Sequence, residues 1–127
     1  GDVNMRLSFY KRIAAAESKQ DLDDLKVELI DRFGLLPEAT KNLLQIAEMR
    51  LMVKPLKVLK IDAGAQGGFI EFSPSAKVDP EKFIKLIQQN PIVYRFDGPL
   101  KFKFVKALPE NKARLEFVMD LVKTLTE

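Results

Sequence analysis

The sequence contains no cysteine and no histidine among its 127 residues. Without these side chains the protein has no disulfide, no thiol or Ser-His nucleophile and no zinc site of the Cys/His type. No apolar run approaches the roughly 18 residues of a membrane span, and there is no apolar core of a signal peptide. The lack of cysteine fits a reducing compartment. These absences exclude the commonest catalytic and structural-metal chemistries.

The length and composition are those of one globular domain. The chain of 127 residues falls in the range of about 100–200 residues for a single domain. Hydrophobic residues make up 46% and charged residues 31%, an ordinary globular mixture. We therefore predict a single domain over residues 1–127. Because the chain begins with Gly1 and not with Met, we interpret Gly1 as a cloning remnant and expect a fragment of a longer, multidomain protein.

Charge is divided unevenly along the chain. The net charge is +3, with residues 1–53 at −1 and residues 54–127 at +4. The sequence pI of 9.1 just meets the value of about 9 that is typical of nucleic-acid-binding domains. Nucleic-acid binding through the second half of the chain therefore stays open as one hypothesis.

Three helices are predicted in the first half of the chain. The first covers residues 4–16, the second follows an S-x-x-D capping box at Ser18 and ends at Gly34 as a left-handed terminator, and the third runs from Pro37, in its first turn, to Pro55. Apolar spacing predicts these inward-facing residues, helix by helix: Phe9, Tyr10, Ile13 and Ala14; Leu22, Leu25, Leu29 and Phe33; Leu43, Ile46, Ala47 and Leu51.

Two β-hairpins are predicted in the second half. The first turns at residues 64–68, and its register pairs Leu59 with Phe72, Ile61 with Ile70 and Lys60 with Glu71. The second turns at residues 97–99 between two alternating segments. The alternating residues are Ile92, Tyr94 and Phe96 before the turn and Leu100, Phe102 and Phe104 after it, and the simplest register places Arg95 opposite Lys101.

Two further helices complete the predicted fold. One begins at the Asp79-Pro80 cap between the hairpins, and Pro109 opens the last helix. The residues predicted to face inward are Phe83, Ile84 and Ile87 in the former and Leu115, Val118, Leu121, Val122 and Leu125 in the latter. The predicted class is α+β: three N-terminal helices, two β-hairpins separated by a short helix, and a C-terminal helix.

Neither the glycine-rich segment nor the carboxylates indicate catalysis. Residues 64–68 lack the Lys-Ser or Lys-Thr of a phosphate loop and precede a strand, so we interpret them as a hairpin turn. The carboxylates at strand ends, caps and turns match those local roles; they are Asp62, Glu71, Asp79 and Asp97. We predict that the chain is not an enzyme and uses no cofactor or metal.

A lysine-bearing strand face invites comparison with single-strand binding platforms. Lys101 and Lys103, together with Arg95, could form a basic face. However, Phe102 and Phe104 alternate with the lysines and should point the opposite way, into the core. We therefore interpret the lysines as a solvated sheet face.

The second predicted helix carries a row of acidic residues. Asp21, Asp24, Glu28 and Asp31 fall within an arc of roughly 80° beside the apolar stripe. The first two lie near the positive helix N-terminus, whereas Asp31 is disfavoured by the helix dipole. Two interpretations stay open: an ordinary solvated face, or a surface that docks on arginine side chains through bidentate pairs.

Ordered motifs along nearly the whole chain resemble one family. The sequence is similar to the C-terminal domain of bacterial transcription-repair coupling factors (Mfd). The motifs that carry the resemblance are Asp2-Val3-Asn4, RLSFYKRIA (Arg6–Ala14), VELIDRFGLLP (Val27–Pro37), IEF (Ile70–Phe72), VDP (Val78–Pro80) and YRFDGP (Tyr94–Pro99).

The resemblance implies a regulatory role inside a larger bacterial, cytoplasmic protein. Such a parent is an ATP-driven DNA translocase that displaces stalled RNA polymerase and recruits UvrA; this chain has no ATPase motif. The family's C-terminal domain docks on the parent's UvrB-like module and masks its UvrA-binding surface, using acids that correspond to Glu28 and Asp31. Asp24 and Asp21 are added on the acidic arc alone. The alternative function is an accessory nucleic-acid-binding module of the translocase.

Overall fold

The computed structural model describes the backbone of residues 2–127 and the side chains of residues 3–127. The interpretation of Gly1 as a cloning remnant lies outside the described residues. The order of elements confirms the predicted α+β class. The helices are α1 (Asp2–Ala15), α2 (Lys19–Phe33), α3 (Glu38–Val53), α4 (Pro80–Gln89) and α5 (Asn111–Thr126), and the strands are β1 (Val58–Gly64), β2 (Gly67–Phe72), β3 (Tyr94–Phe96) and β4 (Lys101–Val105).

The chain divides into two compact units, with the boundary between Leu51 and Met52. This boundary falls in the last turn of α3. Residues 52 and 53 are uncharged, so the two units have the same net charges as the two segments compared above, −1 and +4. The two units are described separately below, and the expectation of a single domain over residues 1–127 stays a prediction.

The first unit buries an apolar core shared by its three helices. The buried residues are Phe9, Ile13 and Ala16 of α1 and the segment after it, Leu22, Leu25 and Leu29 of α2, and Leu44 and Ala47 of α3. Phe33 packs edge-on against Phe9 with 5.8 Å between ring centroids. The inward stripe predicted for α2 is confirmed, with Phe33 partly buried.

Three predicted inward residues of the first unit point to solvent. Ala14 of α1 is exposed, and Leu43 and Ile46 of α3 are 38% and 48% exposed. The face that α3 buries instead carries Thr40, Leu44 and Ala47. These positions follow an i, i+4, i+7 spacing that includes Leu44 and leaves out Leu43. The sequence pattern missed this face because threonine is not an apolar residue.

The helix ends differ from the predictions in detail. Ser18 caps α2 as expected, since its Oγ accepts from the Asp21 N–H at 3.1 Å. Gly34 ends α2 with φ 77° and ψ −132°, a positive-φ conformation outside the left-handed helical region that was predicted. The Pro37 carbonyl accepts from the backbone N–H groups of Thr40 and Lys41, so Pro37 precedes the first turn of α3 as its cap and does not lie within it.

The second unit is built on a four-stranded antiparallel sheet in the order β1-β2-β4-β3. The pairing of β2 with β4, which joins the two hairpins, was not predicted. In the first hairpin the pairs Ile61–Ile70 and Lys60–Glu71 are confirmed. The predicted partner of Phe72 is wrong: a bulge between residues 58 and 60 places Val58 opposite Phe72 and leaves Leu59 64% exposed.

The register of the second hairpin also differs from the simplest one. Arg95 lies opposite Lys103 and not opposite Lys101. Residues 97–100 form a longer connection than the simplest turn, which shifts the pairing by two residues and keeps the inward faces matched. Ile92, predicted to alternate within the strand, lies outside β3 and is 89% exposed.

Aromatic side chains fill the core of the second unit. Phe83 of α4 contacts Phe72 and Phe102, with ring centroids 5.6 and 4.9 Å apart. Phe117 of α5 contacts Phe104 at 5.0 Å. Phe102 and Phe104 have no exposed surface, which confirms that they point into the core.

Two predictions for the helices of the second unit were wrong. Ile84 of α4 is 51% exposed, because Leu86 takes the partly buried position one turn after Phe83. Glu110 is the N-cap of α5, so Pro109 lies before the helix and does not open it. In α5 the inward positions Val118, Leu121, Val122 and Leu125 are confirmed, whereas Leu115 is only partly buried.

Candidate functional site

The burial of one face of α2 fixes the direction of its acidic residues. Leu22, Leu25 and Leu29 lie in the core of the first unit. At about 100° per residue, the part of the helix surface beside this apolar stripe is left to solvent. We call the four acidic residues on that side the acidic stripe: Asp21, Asp24, Glu28 and Asp31.

Glu28 forms an ion pair with a residue that the sequence did not point to. The Arg12 guanidinium of α1 donates to Glu28 Oε2 at 2.8 Å, and both side chains remain about half exposed. This hydrogen bond, together with the positive charges of Arg12 and Arg32, lowers the pKa of the Glu28 carboxyl. The same bond raises the pKa of Arg12. Glu28 is therefore held ionised and oriented.

Arg12 is itself positioned by the core. Its guanidinium lies over the ring of Phe9, 5.1 Å from the centroid. Arg32 approaches the same ring at 5.9 Å and donates to Met5 Sδ at 3.7 Å. No local sequence spacing signals the Arg12–Glu28 contact, since the two residues lie 16 positions apart on different helices.

The two N-terminal acids of the stripe are partly engaged within the helix. Asp21 Oδ2 accepts from the Glu17 backbone N–H at 3.1 Å, which contributes to the cap of α2. Asp24 Oδ1 accepts from Gln20 Nε2 at 2.8 Å. Both aspartates line an open groove of about 340 Å³ beside Arg12. Each keeps one carboxylate oxygen for a further donor.

Asp31 is the acid with the greatest freedom in the stripe. It is exposed, and among the described residues it has no hydrogen bond or ion pair. Val27, one turn earlier on the same side, is 61% exposed. The stripe thus presents a carboxylate beside an uncovered apolar side chain. A docking role for the four acids stays a prediction.

The described residues show no feature of other site classes. They contain no group of acidic side chains placed to hold a metal ion. Asp79 caps α4 as predicted, its Oδ1 accepting from the Glu81 N–H at 3.0 Å. None of the described helices has the length and hydropathy to cross a membrane.

A TRCF domain model matches residues 1–83, which is more than half of the chain. The chain belongs to the TRCF domain family of transcription-repair coupling factors. It is 76% identical over 125 residues to the transcription-repair-coupling factor of Haemophilus influenzae and 47% identical over 126 residues to that of Escherichia coli. These alignments cover 98% and 99% of the chain but only 11% of each relative, so this TRCF chain spans about a tenth of their length.

A solved structure supports the fold of the TRCF chain. It is described as the C-terminal domain of a transcription-repair coupling factor and superposes with a TM-score of 0.76. The match covers 96% of this chain and 79% of that one at 20% identity, which supports the architecture alone. With the family match, the chain is a TRCF domain with the architecture of that solved structure.

Proposed function

We propose that this TRCF domain is a non-catalytic regulatory module that docks through the acidic stripe on another module of the same protein. Its partner in this proposal is an arginine-bearing surface of a UvrB-like module. Docking masks the surface to which UvrA binds, and release exposes it. RNA polymerase, ATP and the DNA along which the parent protein translocates are bound by other parts of that protein, in the bacterial cytoplasm.

The exposed, unpartnered Asp31 is the observation that carries the proposal. A carboxylate near a helix C-terminus is unfavourable in isolation, because the helix dipole is negative there. An arginine from a partner would offset that charge through two parallel hydrogen bonds. The exposed Val27 beside it supplies apolar area that such a contact would cover.

The Arg12–Glu28 pair supports the proposal in a second way. Arg12 occupies Glu28 Oε2, and an ionised carboxylate has acceptor sites left on both oxygens for a second guanidinium. Arg12 therefore fixes the carboxylate before docking, which reduces the entropy lost on association. In the undocked state it also compensates part of the negative charge of the stripe.

The proposed contact suits a lock that has to open. A polar interface of modest size is typical of domains that separate during function. Charge complementarity would give such a contact its specificity and its orientation. A bias of a few kcal/mol is sufficient to hold most molecules in the docked state.

Calorimetric titration of this chain with the separately expressed UvrB-like module tests the proposal. We expect salt-sensitive binding in the micromolar range, weakened at least tenfold by Asp31→Arg and abolished by Glu28→Arg/Asp31→Arg. The matched controls are Asp120→Arg and Glu116→Arg/Asp120→Arg on α5, which reverse the same number of exposed acids. Asp31→Arg is the cleaner probe, because Glu28→Arg also places a second arginine beside Arg12.

Two results would count against the stripe. One is an equal loss of binding in the α5 controls, which would show that only net charge matters. The other is wild-type affinity in a folded Glu28→Arg/Asp31→Arg variant. Circular dichroism of each variant verifies that it is folded.

A further inference from the structure

The outward face of the sheet in the second unit combines basic side chains with one aromatic ring. Phe69 of the central strand β2 is in phase with Glu71 and out of phase with the buried Ile70, so it points away from the helices. Lys103 of β4 lies directly opposite Phe69, and Arg95 of β3 lies opposite Lys103. We call this surface the basic sheet face; its members are Lys60, Phe69, Arg95, Lys101 and Lys103.

Two lysines from strands on either side of β2 lie over the Phe69 ring. The Lys101 Nζ is 4.4 Å from the ring centroid, and the Lys60 Nζ is 5.7 Å from it. Glu71 lies opposite both lysines in the strand pairing. Neither lysine Nζ, however, is within 4.0 Å of a Glu71 carboxylate oxygen, the distance that defines an ion pair. Two ammonium groups therefore contact the Phe69 ring without forming an ion pair with any carboxylate that the structure describes.

The other two cations of the face are also uncompensated. Lys103 and Arg95 are directly opposite across β3 and β4, an arrangement of like charges that destabilises a sheet. Among the described residues neither has an ion pair. Four cations share the face with the carboxylates of Asp62 and Glu71, so an excess of positive charge remains. An external anion placed between them would relieve the repulsion.

We propose that the basic sheet face binds single-stranded nucleic acid. Lys60, Lys101, Lys103 and Arg95 contact phosphates, and Phe69 offers its ring to a base once the flexible lysine side chains turn toward the backbone of the strand. Basic side chains that follow the backbone, next to an aromatic ring for stacking, are the combination that single strands require. An acidic protein surface would use the cations but has no need of the central ring.

The face also has the right shape for a single strand. An open antiparallel sheet presents a broad surface on which an extended chain with unstacked bases can lie. A duplex keeps its base faces stacked inside and would leave Phe69 without a partner. The basic sheet face lies wholly within the second unit, and nucleic-acid binding there does not depend on docking through the acidic stripe.

Fluorescence anisotropy of a labelled dT oligonucleotide of twelve nucleotides, titrated with the whole chain, tests the charge part of the proposal. We expect affinity to fall with salt, and Lys101→Gln/Lys103→Gln to reduce the slope of log K against log salt by about 1.4, from ~0.7 per phosphate contact. The control Lys112→Gln/Lys123→Gln removes two exposed charges from α5 and should leave the slope unchanged. An equal effect of both pairs, or no binding at low salt, would overturn the proposal.

Replacement of Phe69 tests the stacking part. Phe69→Leu should weaken binding roughly tenfold at an unchanged salt slope, because it removes a ring and no charge. Phe69→Tyr keeps the ring and should bind as the wild type does, which separates stacking from a general packing defect. Undiminished binding by Phe69→Leu, or tighter binding of polyglutamate than of the oligonucleotide, would reject a nucleic-acid site. A U-oligonucleotide of equal length distinguishes RNA from DNA, and tighter binding of either supports the site.

Discussion

The two compact units of this chain are stabilised by different kinds of core. The first unit packs mostly aliphatic side chains between helices and has the single edge-on ring pair Phe9–Phe33 among its described aromatic contacts. In the second unit, rings from strands and helices meet one another, with Phe102 between Phe83 and Tyr94. Aromatic rings bury more area per residue, so single residues should matter more in the second unit.

The surfaces of the two units differ in charge. The first unit is close to neutral at −1 and gathers acids on one side of α2, whereas the second carries +4 and gathers cations around Phe69. Two surfaces of opposite charge thus belong to separately packed parts of one chain. Each proposed activity can therefore be tested by substitutions that leave the other surface unchanged.

The largest effect is expected from Phe102→Ala in the second unit. Phe102 has no exposed surface and contacts the rings of Phe83, Tyr94 and Phe96. Its truncation should lower the free energy of unfolding by about 3–5 kcal/mol. Urea unfolding followed by circular dichroism measures this. Phe96→Ala, at a residue that is 40% exposed, is the control with a smaller loss, and equal losses would contradict the importance given to the buried ring.

The next effect is expected where β2 approaches β1. A Cβ on Gly68 would lie 1.9 Å from the Asp62 carbonyl oxygen, so the backbone of β1 has to move. We expect Gly68→Ala to destabilise the protein by roughly 2 kcal/mol or more. Gly64→Ala is the control, because its Cβ would meet the Gly67 carbonyl at an ordinary 3.7 Å. If thermal unfolding showed the same loss for both, the close strand approach would not be the cause.

A smaller effect is expected at the start of α2 in the first unit. Ser18→Ala removes the acceptor of the Asp21 N–H and should lower stability by about 1 kcal/mol. Ser8→Ala on the exposed side of α1 is the control and should change little. Oligonucleotide binding should be the same in both variants. A loss of binding in Ser18→Ala would show that the two proposed surfaces are not independent.

The smallest effect is a difference in pH dependence between the units. Burial raises the pKa of Tyr94 above its usual value of about 10. Its stabilising contribution is therefore present below pH ~10 and lost as the pH rises through the raised value. Tyr94→Phe should flatten the decline of stability on the alkaline side in urea titrations. An unchanged alkaline decline would contradict this.

The first unit has the opposite sign at acidic pH. The lowered pKa of Glu28 makes the Arg12 contact stabilising above the usual carboxyl pKa, and this contribution is lost as the pH falls through the lowered value. Because the pair is exposed to solvent, its effect on stability should be small and sensitive to salt.

Much of the fold could be predicted because local patterns determine it. The capping box at Ser18, the stripe of α2 and the alternation around Phe102 each point to one structure, and the structure confirms them. The wrong predictions arise where the sequence pattern fits two structures equally well. Leu43 and Leu44 are equally apolar, and only the packing of α3 decides which one is buried. The bulge at Leu59 depends likewise on the neighbouring strand.

The candidate surfaces could likewise be predicted only where they lie on a single helix or strand. The acidic stripe lies on one helix and could be predicted from helical spacing, whereas its partner Arg12 belongs to another helix and could not. Phe69 could have been placed on the outer face of the sheet, because it is in phase with Glu71, which the predicted pairing with Lys60 already assigns to that face. The pairing of β2 with β4, which brings Lys101 and Lys103 to Phe69, has no local signal.

The measurement that tests the central claim most directly is UvrA binding to the full-length parent protein that carries Asp31→Arg, compared with Asp120→Arg. If the acidic stripe masks the UvrA-binding surface, Asp31→Arg should raise UvrA affinity at least tenfold, and Asp120→Arg should leave it unchanged. Unchanged affinity in a folded Asp31→Arg parent, or the same increase in both variants, would contradict docking through α2.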